Sequence, residues 1–171
     1  MSTATRREAP QSDLYDRDFY SWTQDQAARL RALAPHSGLD LENLADEVAD
    51  LGRSERNKTV HHLVQACNHL LKAAQSTAEE PQRHWRAETV SQQQQARTAF
   101  TPGMRQHLDI ADVWSDALKL ANAGLRDFGE PKIYPAPACP FQLDDLLAET
   151  FDPEAALIRV KGAIADARDG R

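Results

Sequence analysis

With 171 residues, the chain is long enough to form one complete hydrophobic core. Its 41% of apolar and 27% of charged residues are typical of a globular protein, and its apolar runs are far shorter than the roughly 20 residues that cross a bilayer. The formal net charge of −6 argues against binding to nucleic acids or anionic membranes, since both interactions need a basic surface.

The first 14 residues do not have the features of a targeting signal. They contain no apolar segment of the secretory type, and Glu8 and Asp13 oppose a transit peptide, which is poor in acidic residues. We therefore expect residues 1–14 to be a disordered leader on a cytoplasmic protein. In that compartment Cys67 and Cys139 stay reduced, and their wide spacing matches no zinc site.

The first predicted helix runs from Ser21 to about Pro35. Ser21 and Gln24 have the spacing of a capping box, which satisfies the free backbone N–H groups at a helix start. Pro35, Ser37 and Gly38 end the helical pattern. The apolar stripe of this helix consists of Phe19, Trp22, Leu30 and Leu33.

The second predicted helix is the longest and starts after Asp40, which is a good N-cap residue. Leu44, Val48 and Leu51 share one face at helical spacing, which is typical of a face that packs in a core. Gly52 is a poor helix former and marks either a bend or a close contact with another helix. The apolar surface continues through Val60, Leu63, Val64, Cys67, Leu70 and Leu71.

The third predicted helix covers about residues 83–100 and has only a thin apolar stripe. It contains four consecutive glutamines, residues 92–95, which we interpret as a solvated helix face because glutamine is a fair helix former. A helix of this kind should pack at an edge of the bundle. The stripe consists of Trp85, Thr89, Gln92, Ala96 and Ala99.

The fourth predicted helix begins at Thr101-Pro102, with threonine as the N-cap and proline at the first helical position. It continues to Phe128 and ends at Gly129. One apolar stripe includes Met104 and Trp114, and a second apolar flank lies beside it. Because both flanks are apolar, we expect this helix to contact two neighbours in the centre of the bundle.

The last part of the chain begins with a proline-rich stretch, residues 130–140, which should cross the bundle in an extended conformation. A short helix is expected near Leu143–Leu147, and Asp152-Pro153 should open a final helix that ends at about Arg168. No segment has the alternation of a strand. The predicted fold is therefore all-α: a four-helix-bundle-like single domain with an extended proline-rich segment and additional C-terminal helices.

The chain also carries an ordered series of short motifs: Tyr15, Asp18-Phe19-Tyr20, Trp22, Leu39-Asp40, Leu44, Glu47, Leu51-Gly52-Arg53-Ser54-Glu55, His69-Leu70-Leu71-Lys72, Trp85, Thr89, Arg97, Tyr134-Pro135 and Cys139-Pro140-Phe141. In this order they resemble the domain-of-unknown-function 29 family (DUF29), a family of bacterial proteins. The resemblance implies a helical bundle domain over residues 15–151, with residues 152–171 as a C-terminal helical extension. It implies no reaction, because the family has no established activity.

Glu55, His62 and His69 recur every seven residues and should lie along one face of the second helix. One step of seven residues is a rise of about 10.5 Å, which is too long for two of these side chains to bind the same metal ion. They serve either in a functional site or as polar groups that hydrogen-bond between helices. Together with three positions that carry the family resemblance, they make up a candidate polar cluster: Glu47, Glu55, His62, His69, Lys72 and Trp85.

Two acidic pairs are weaker candidates for a divalent metal site. In each pair the residues are three apart: Glu47 with Asp50, and Asp109 with Asp112. Paired carboxylates on facing helices hold magnesium in some all-α nucleotide pyrophosphohydrolases. The other interpretation is a solvated helix face, since Arg53 follows Asp50 at the spacing of a surface ion pair.

The sequence contains no Glu-x-x-His, HExxH, glycine-rich phosphate loop or GxSxG motif, so no cofactor is expected, with a divalent metal ion as the alternative. The favoured hypothesis is a non-enzymatic interaction module that binds another protein or a second copy of itself. The alternative is a metal-dependent hydrolase that uses the acidic and histidine side chains of the bundle. An exposed apolar patch would favour the first hypothesis.

Overall fold

The computed structural model describes residues 11–33 and 38–170, and within these ranges it contains helices and no strand, which confirms the all-α fold class. The predicted stop residues Pro35 and Ser37 lie outside the described residues, as do residues 1–10 of the predicted leader. The helices are α1 (Gln11–Arg17), α2 (Phe19–Ala32), α3 (Leu41–Gln75), α4 (Glu79–Ala99), α5 (Ile110–Asp127), α6 (Leu143–Leu147) and α7 (Pro153–Asp169), with a 3₁₀ helix at Pro102–His107.

The chain divides into two compact units. The described residues up to Arg56 and the segment Thr101–Gln106 form the first unit, and Asn57–Phe100 together with the residues from His107 onward form the second. Helix α3 contributes its N-terminal part to the first unit and its C-terminal part to the second. The last four residues of the predicted leader, 11–14, belong to α1.

Helix α2 begins two residues earlier than the sequence indicated, because its N-cap is Asp18 and not Ser21. The Asp18 carboxylate accepts hydrogen bonds from the backbone N–H and the hydroxyl of Ser21, at 3.1 and 2.9 Å. The same carboxylate accepts from the Thr101 hydroxyl at 2.7 Å and from the Gly103 N–H at 2.8 Å. One short acidic side chain therefore fixes both the start of α2 and the 3₁₀ segment of the first unit.

The start of α3 confirms Asp40 as its N-cap. The Asp40 carboxylate accepts a hydrogen bond from the backbone N–H of Asn43 at 3.2 Å, and Asn43 also donates from its side chain. The predicted core face of this part of α3 is wrong for Leu44 and Leu51, which are exposed, whereas Val48 packs against the buried alanines as predicted. The face that packs against α2 is lined by small residues, namely Ala45, Ala49 and Gly52.

Small side chains on α3 let α2 approach closely. A Cβ added to Gly52 would lie 2.1 Å from Oγ1 of Thr23, which confirms the close-contact interpretation of this glycine. Thr23 is buried, and so are Tyr20 and Ala27 of the same helix, whereas the predicted stripe residue Leu33 is exposed. Of the predicted stripe, Leu30 packs against the buried alanines of the first unit, so the prediction for this face is correct at Leu30 and wrong at Leu33.

Helix α4 starts at Glu79, four residues before the predicted start, and Pro81 lies in its first turn, where proline is tolerated. The buried glutamine of this helix is Gln93, not Gln92. The Gln93 amide donates to the carbonyl oxygens of Leu146 and Ala148, at 3.0 and 2.9 Å. The interpretation of the glutamine run as wholly solvated is therefore wrong at Gln93.

The predicted fourth helix is two elements, the 3₁₀ helix Pro102–His107 and α5. The helix restarts at Asp109, whose carboxylate accepts a hydrogen bond from the backbone N–H of Ala111 at 2.8 Å. Helix α5 then buries Trp114, Ala121 and Leu125 of the expected stripe, whereas Phe128 at the end of the stripe is exposed. The indole N–H of Trp114 donates to the Pro137 carbonyl at 2.9 Å, so the proline-rich segment lies across this helix as predicted.

The core of the second unit is formed by parts of α3, α4, α5, α6 and α7 together with the proline-rich segment. Helix α7 starts at the predicted place, because Asp152 caps the N–H groups of Glu154 and Ala155. It buries Val160 and Ile164, whereas Ile158 is exposed. No helix of the described chain is both long enough and apolar enough to cross a membrane.

Candidate functional site

The six residues of the predicted polar cluster are divided between the two units. The exposed Glu47 and the half-buried Glu55 belong to the first unit. The second unit contains the other four, which are His62, His69, Lys72 and Trp85. Within the second unit the structure brings Lys72 and Trp85 together.

His62 is a polar link between two helices. Its Nδ1 lies 2.8 Å from Oε1 of Gln92, so α3 and α4 share a hydrogen bond at this point. The sequence placed Gln92 in the apolar stripe of α4, but its side chain is half-buried and serves as the partner of a histidine. This contact is the interhelical hydrogen bond that a half-buried histidine needs.

Lys72 and Trp85 are in direct contact. The Lys72 ammonium lies 5.4 Å from the centroid of the Trp85 ring, which is the distance of a cation–π interaction. Gly124 of α5 leaves room for the lysine stem, because a Cβ at this glycine would lie 3.3 Å from the Lys72 Cδ. The Trp85 ring also meets the exposed ring of Phe128 edge-on, with centroids 5.6 Å apart. Trp85 thus connects a half-buried cation to an exposed aromatic residue.

His69 lies one turn before Lys72 on α3, and its environment disfavours the charged imidazolium. Burial, together with the charges of Lys72 and His84, lowers the pKa of His69 to about 4. Its Nδ1 is buried and has no hydrogen-bond partner. Burial also lowers the pKa of Lys72, and the nearby Glu88 carboxylate opposes that change.

This arrangement is better suited to packing than to proton transfer. At neutral pH the His69 ring is uncharged, and its Nδ1, which is buried away from water, cannot exchange a proton with a dissolved substrate in this conformation. The Lys72 ammonium is held against the Trp85 ring. The contact between Lys72 and Trp85 joins the C-terminal half of α3 to α4.

Of the four weak metal candidates, two interact with other groups of the protein and two are exposed. Asp50 forms an ion pair with Arg53, and Asp109 caps α5. Glu47 and Asp112 are exposed. Among residues 11–33 and 38–170, no group of three or more histidine, cysteine or acidic side chains is close enough to hold a metal ion.

An exposed apolar surface lies on the N-terminal half of α3. Leu44 and Leu51 are 40% and 54% exposed, and the half-buried Val48 lies between them. Residues at spacings of three and four share one helix face, so these three side chains form a continuous strip, which we call the leucine stripe. It lies beside the Ala45–Gly52 face that α2 covers. Sequence analysis found these residues but assigned them to the core.

The segment that carries the leucine stripe is strongly acidic. Between Asp40 and Glu55 there are six acidic residues and one basic residue, Arg53. Helical spacing places Glu47 at the border of the stripe that faces away from α2, and it places Glu55 one turn beyond Leu51 on the same face. The stripe is therefore an apolar strip beside carboxylates.

Comparison with known proteins gives the family of the chain. Residues 14–152 match the family described as domain of unknown function DUF29. The chain belongs to the DUF29 family. The DUF29 chain is also similar to the crystal structure of an α-helical protein of unknown function from Rhodospirillum rubrum, with a TM-score of 0.78 and 32% sequence identity over 85% of this chain and 96% of that chain. No curated protein matches this DUF29 chain.

Proposed function

We propose that this DUF29 protein is a non-enzymatic interaction module that binds a protein partner through the leucine stripe of α3. The observation that carries the proposal is the exposure of Leu44 and Leu51 on a well-formed helix. A single exposed leucine is common on protein surfaces, but apolar side chains at helical spacing form the kind of face that a partner groove or helix covers.

The two faces of this part of α3 support separate roles in folding and in binding. The small residues Ala45, Ala49 and Gly52 pack on α2, and Arg31 of α2 adds ion pairs with two acidic side chains of α3, Glu42 and Asp46. Within the leucine stripe, Val48 packs against the buried alanines, whereas Leu44 and Leu51 are exposed. Replacement of Leu51 should therefore change binding much more than folding.

Site-specific photo-crosslinking in the native host tests this proposal. A benzoylphenylalanine at position 51 of the full chain should give one defined adduct that mass spectrometry identifies as a protein partner. The control places the same residue at position 158, because Ile158 is 70% exposed on α7 and lies outside the stripe. Equal adducts at both positions, or none at positions 44 and 51, would contradict the proposal.

The alternative hypothesis, a metal-dependent hydrolase, gains no support from the geometry of the described residues, as Asp50 and Asp109 already have partners. Its test is the melting temperature with and without Mg²⁺, Mn²⁺ and Zn²⁺, because an ion that binds only the folded state raises that temperature. An increase that is lost in Glu55→Ala or His69→Ala would favour a metal site.

A further inference from the structure

The second unit contains a cleft of about 380 Å³ that is lined by the end of α3, the start of the proline-rich segment and one face of α7. This volume lies within the range of about 300–1,000 Å³ that is typical of small-molecule sites. Lys161, Ile164 and Arg168 line it from α7. Their spacings of three, four and seven residues place them on one face of that helix, so both cations border the same cleft.

The cleft combines apolar side chains with cations. Ala74 and Pro131 contribute apolar groups, and Ile164 adds another from the buried side of α7. The two cations are exposed to solvent. A ligand that matches this lining has a compact apolar body and an anionic group.

Neither cation of the cleft is neutralised by an ion pair within residues 11–33 and 38–170. The Arg168 guanidinium donates one hydrogen bond, to Oε1 of Gln75 at 2.8 Å, and the Gln75 amide donates in turn to the Pro131 carbonyl at 2.9 Å. Gln75 therefore orients the guanidinium through a single N–H, and the remaining donors of the arginine are available to a ligand.

The acidic residues closest in sequence to the cleft residues do not line the cleft. Glu130 precedes Pro131, and its carboxylate accepts a hydrogen bond from the Ser76 hydroxyl at 2.6 Å. Asp166 and Asp169 belong to α7 but are not among the lining residues. In the described part of the chain, the charged side chains that line the cleft are thus cations alone, on a chain whose net charge is −6.

We infer that this cleft binds a small organic phosphate, namely a phosphate monoester on a compact apolar group. A phosphate monoester carries a charge of about −1.5 to −2 at neutral pH, which matches one lysine and one arginine. The planar guanidinium of Arg168 suits two phosphate oxygens, and Lys161 adds a mobile point charge. The apolar group of the ligand would cover Ala74, Pro131 and Ile164. The site is independent of the leucine stripe, which belongs to the first unit.

The same cations have a second possible role in the fold. Gln75 is the last residue of α3, and positive charge beside the C-terminal end of a helix stabilises it. If this were their whole role, removal of Lys161 would lower the melting temperature and no anion would bind in the cleft. Binding and stability therefore have to be measured on the same variants.

Titration of the ¹⁵N-labelled full chain with phenyl phosphate, followed by NMR, tests the inference. The amide signals of Gln75 and Ile164 should shift and saturate. Benzoate carries a single negative charge and benzyl alcohol carries none, so both should bind at least about tenfold more weakly than phenyl phosphate. Raising the salt concentration should weaken phenyl phosphate binding, because the cations are exposed.

Two lysine variants connect the binding to the cleft. Lys161→Gln should weaken phenyl phosphate binding about tenfold, because a charge-assisted hydrogen bond is lost. Lys119→Gln is the matched control, since it removes the same charge from an exposed lysine of α5 that does not line the cleft. The control should leave the affinity unchanged, and thermal unfolding of both variants verifies that the fold is kept.

Three results would overturn the inference. The first is the absence of saturable shifts at Gln75 and Ile164, which together with a lower melting temperature of Lys161→Gln would assign the cations to the end of α3 alone. The second is binding of benzoate or benzyl alcohol as tight as that of phenyl phosphate. The third is equal weakening by Lys161→Gln and Lys119→Gln, which would indicate unspecific attraction of anions.

Discussion

Thr23 of α2 and Gly52 of α3 are so close that no side chain fits between them. A Cβ at Gly52 would lie 2.1 Å from the Thr23 Oγ1 and 3.2 Å from the Thr23 Cβ. The threonine cannot easily turn away, because its hydroxyl donates to the Tyr20 carbonyl at 2.7 Å and a β-branched side chain is stiff. Close packing of α2 on α3 in the first unit therefore requires a residue without a side chain at position 52.

The first prediction is that Gly52→Ala lowers the free energy of unfolding by about 2 kcal/mol, because overpacking outweighs the better helix propensity of alanine. Urea unfolding followed by circular dichroism measures the change. Gly162→Ala is the matched control: no atom lies within 4 Å of a Cβ at this glycine of α7, so alanine should stabilise by about 1 kcal/mol. A Gly52→Ala variant as stable as the original chain would refute the close contact.

The second prediction concerns two adjacent glutamines of α4. Gln93→Ala should lower the free energy of unfolding by about 2 kcal/mol, because the Leu146 and Ala148 carbonyls lose their donor inside the second unit. Gln94→Ala should change it by less than about 0.5 kcal/mol, since Gln94 is exposed. Chemical denaturation of both variants gives the comparison, and equal effects would show that the Gln93 hydrogen bonds contribute little.

The sequence was informative where a local signal decides the structure. Asp40 and the Asp152-Pro153 pair mark helix starts through bonds to the next few backbone N–H groups, so both predictions were correct. The ordered family motifs likewise predicted the DUF29 membership. Ser21 failed as a cap because Asp18, three residues earlier, has two carboxylate oxygens and accepts four hydrogen bonds.

The choice of helix face could not be derived in the same way. On α3 both the leucine stripe and the small-residue face have helical spacing, and hydrophobicity favours the leucines. The structure selects Ala45 and Ala49 because small side chains allow a close approach of α2, which is a property of two helices together. The contact of Lys72 with Trp85 could not be predicted from the sequence for the same reason, because it depends on the packing of α3 on α4.

The third prediction is that Asp18→Ala lowers the free energy of unfolding at pH 7 by about 2 kcal/mol, since four donors of the first unit lose their acceptor. Burial opposes ionisation of this carboxyl, but the hydrogen bonds from Thr101, Ser21 and Gly103 outweigh burial and lower its pKa below 3.8. Stabilisation by Asp18 is therefore present above pH 3.8 and is lost as the pH falls through the lower folded-state value.

The control for Asp18 is another aspartate of the same unit. Asp25 is paired with Arg29 on the surface of α2 at 2.6 Å, and an exposed ion pair contributes little. Asp25→Ala should therefore change stability by less than about 1 kcal/mol at pH 7. Melting curves of the two variants at pH 7 and pH 3 make the comparison, and the destabilisation by Asp18→Ala should be smaller at pH 3. If Asp18→Ala and Asp25→Ala have equal effects at pH 7, Asp18 is not the organising cap.

The fourth prediction is a pH dependence that comes from His69. Its pKa is about 4 in the folded chain, against 6.5 as the ordinary value, so between these two values the unfolded state binds more protons. The free energy of unfolding should thus rise with pH from about 4 to 6.5, with a contribution on the order of 2 kcal/mol from His69. His69→Phe removes both the titrating group and the unpaired Nδ1, and should flatten this rise in urea unfolding at a series of pH values. His61→Phe, at an exposed position of the same helix, should leave the rise unchanged, and an equally steep rise in His69→Phe would assign the pH dependence to other groups.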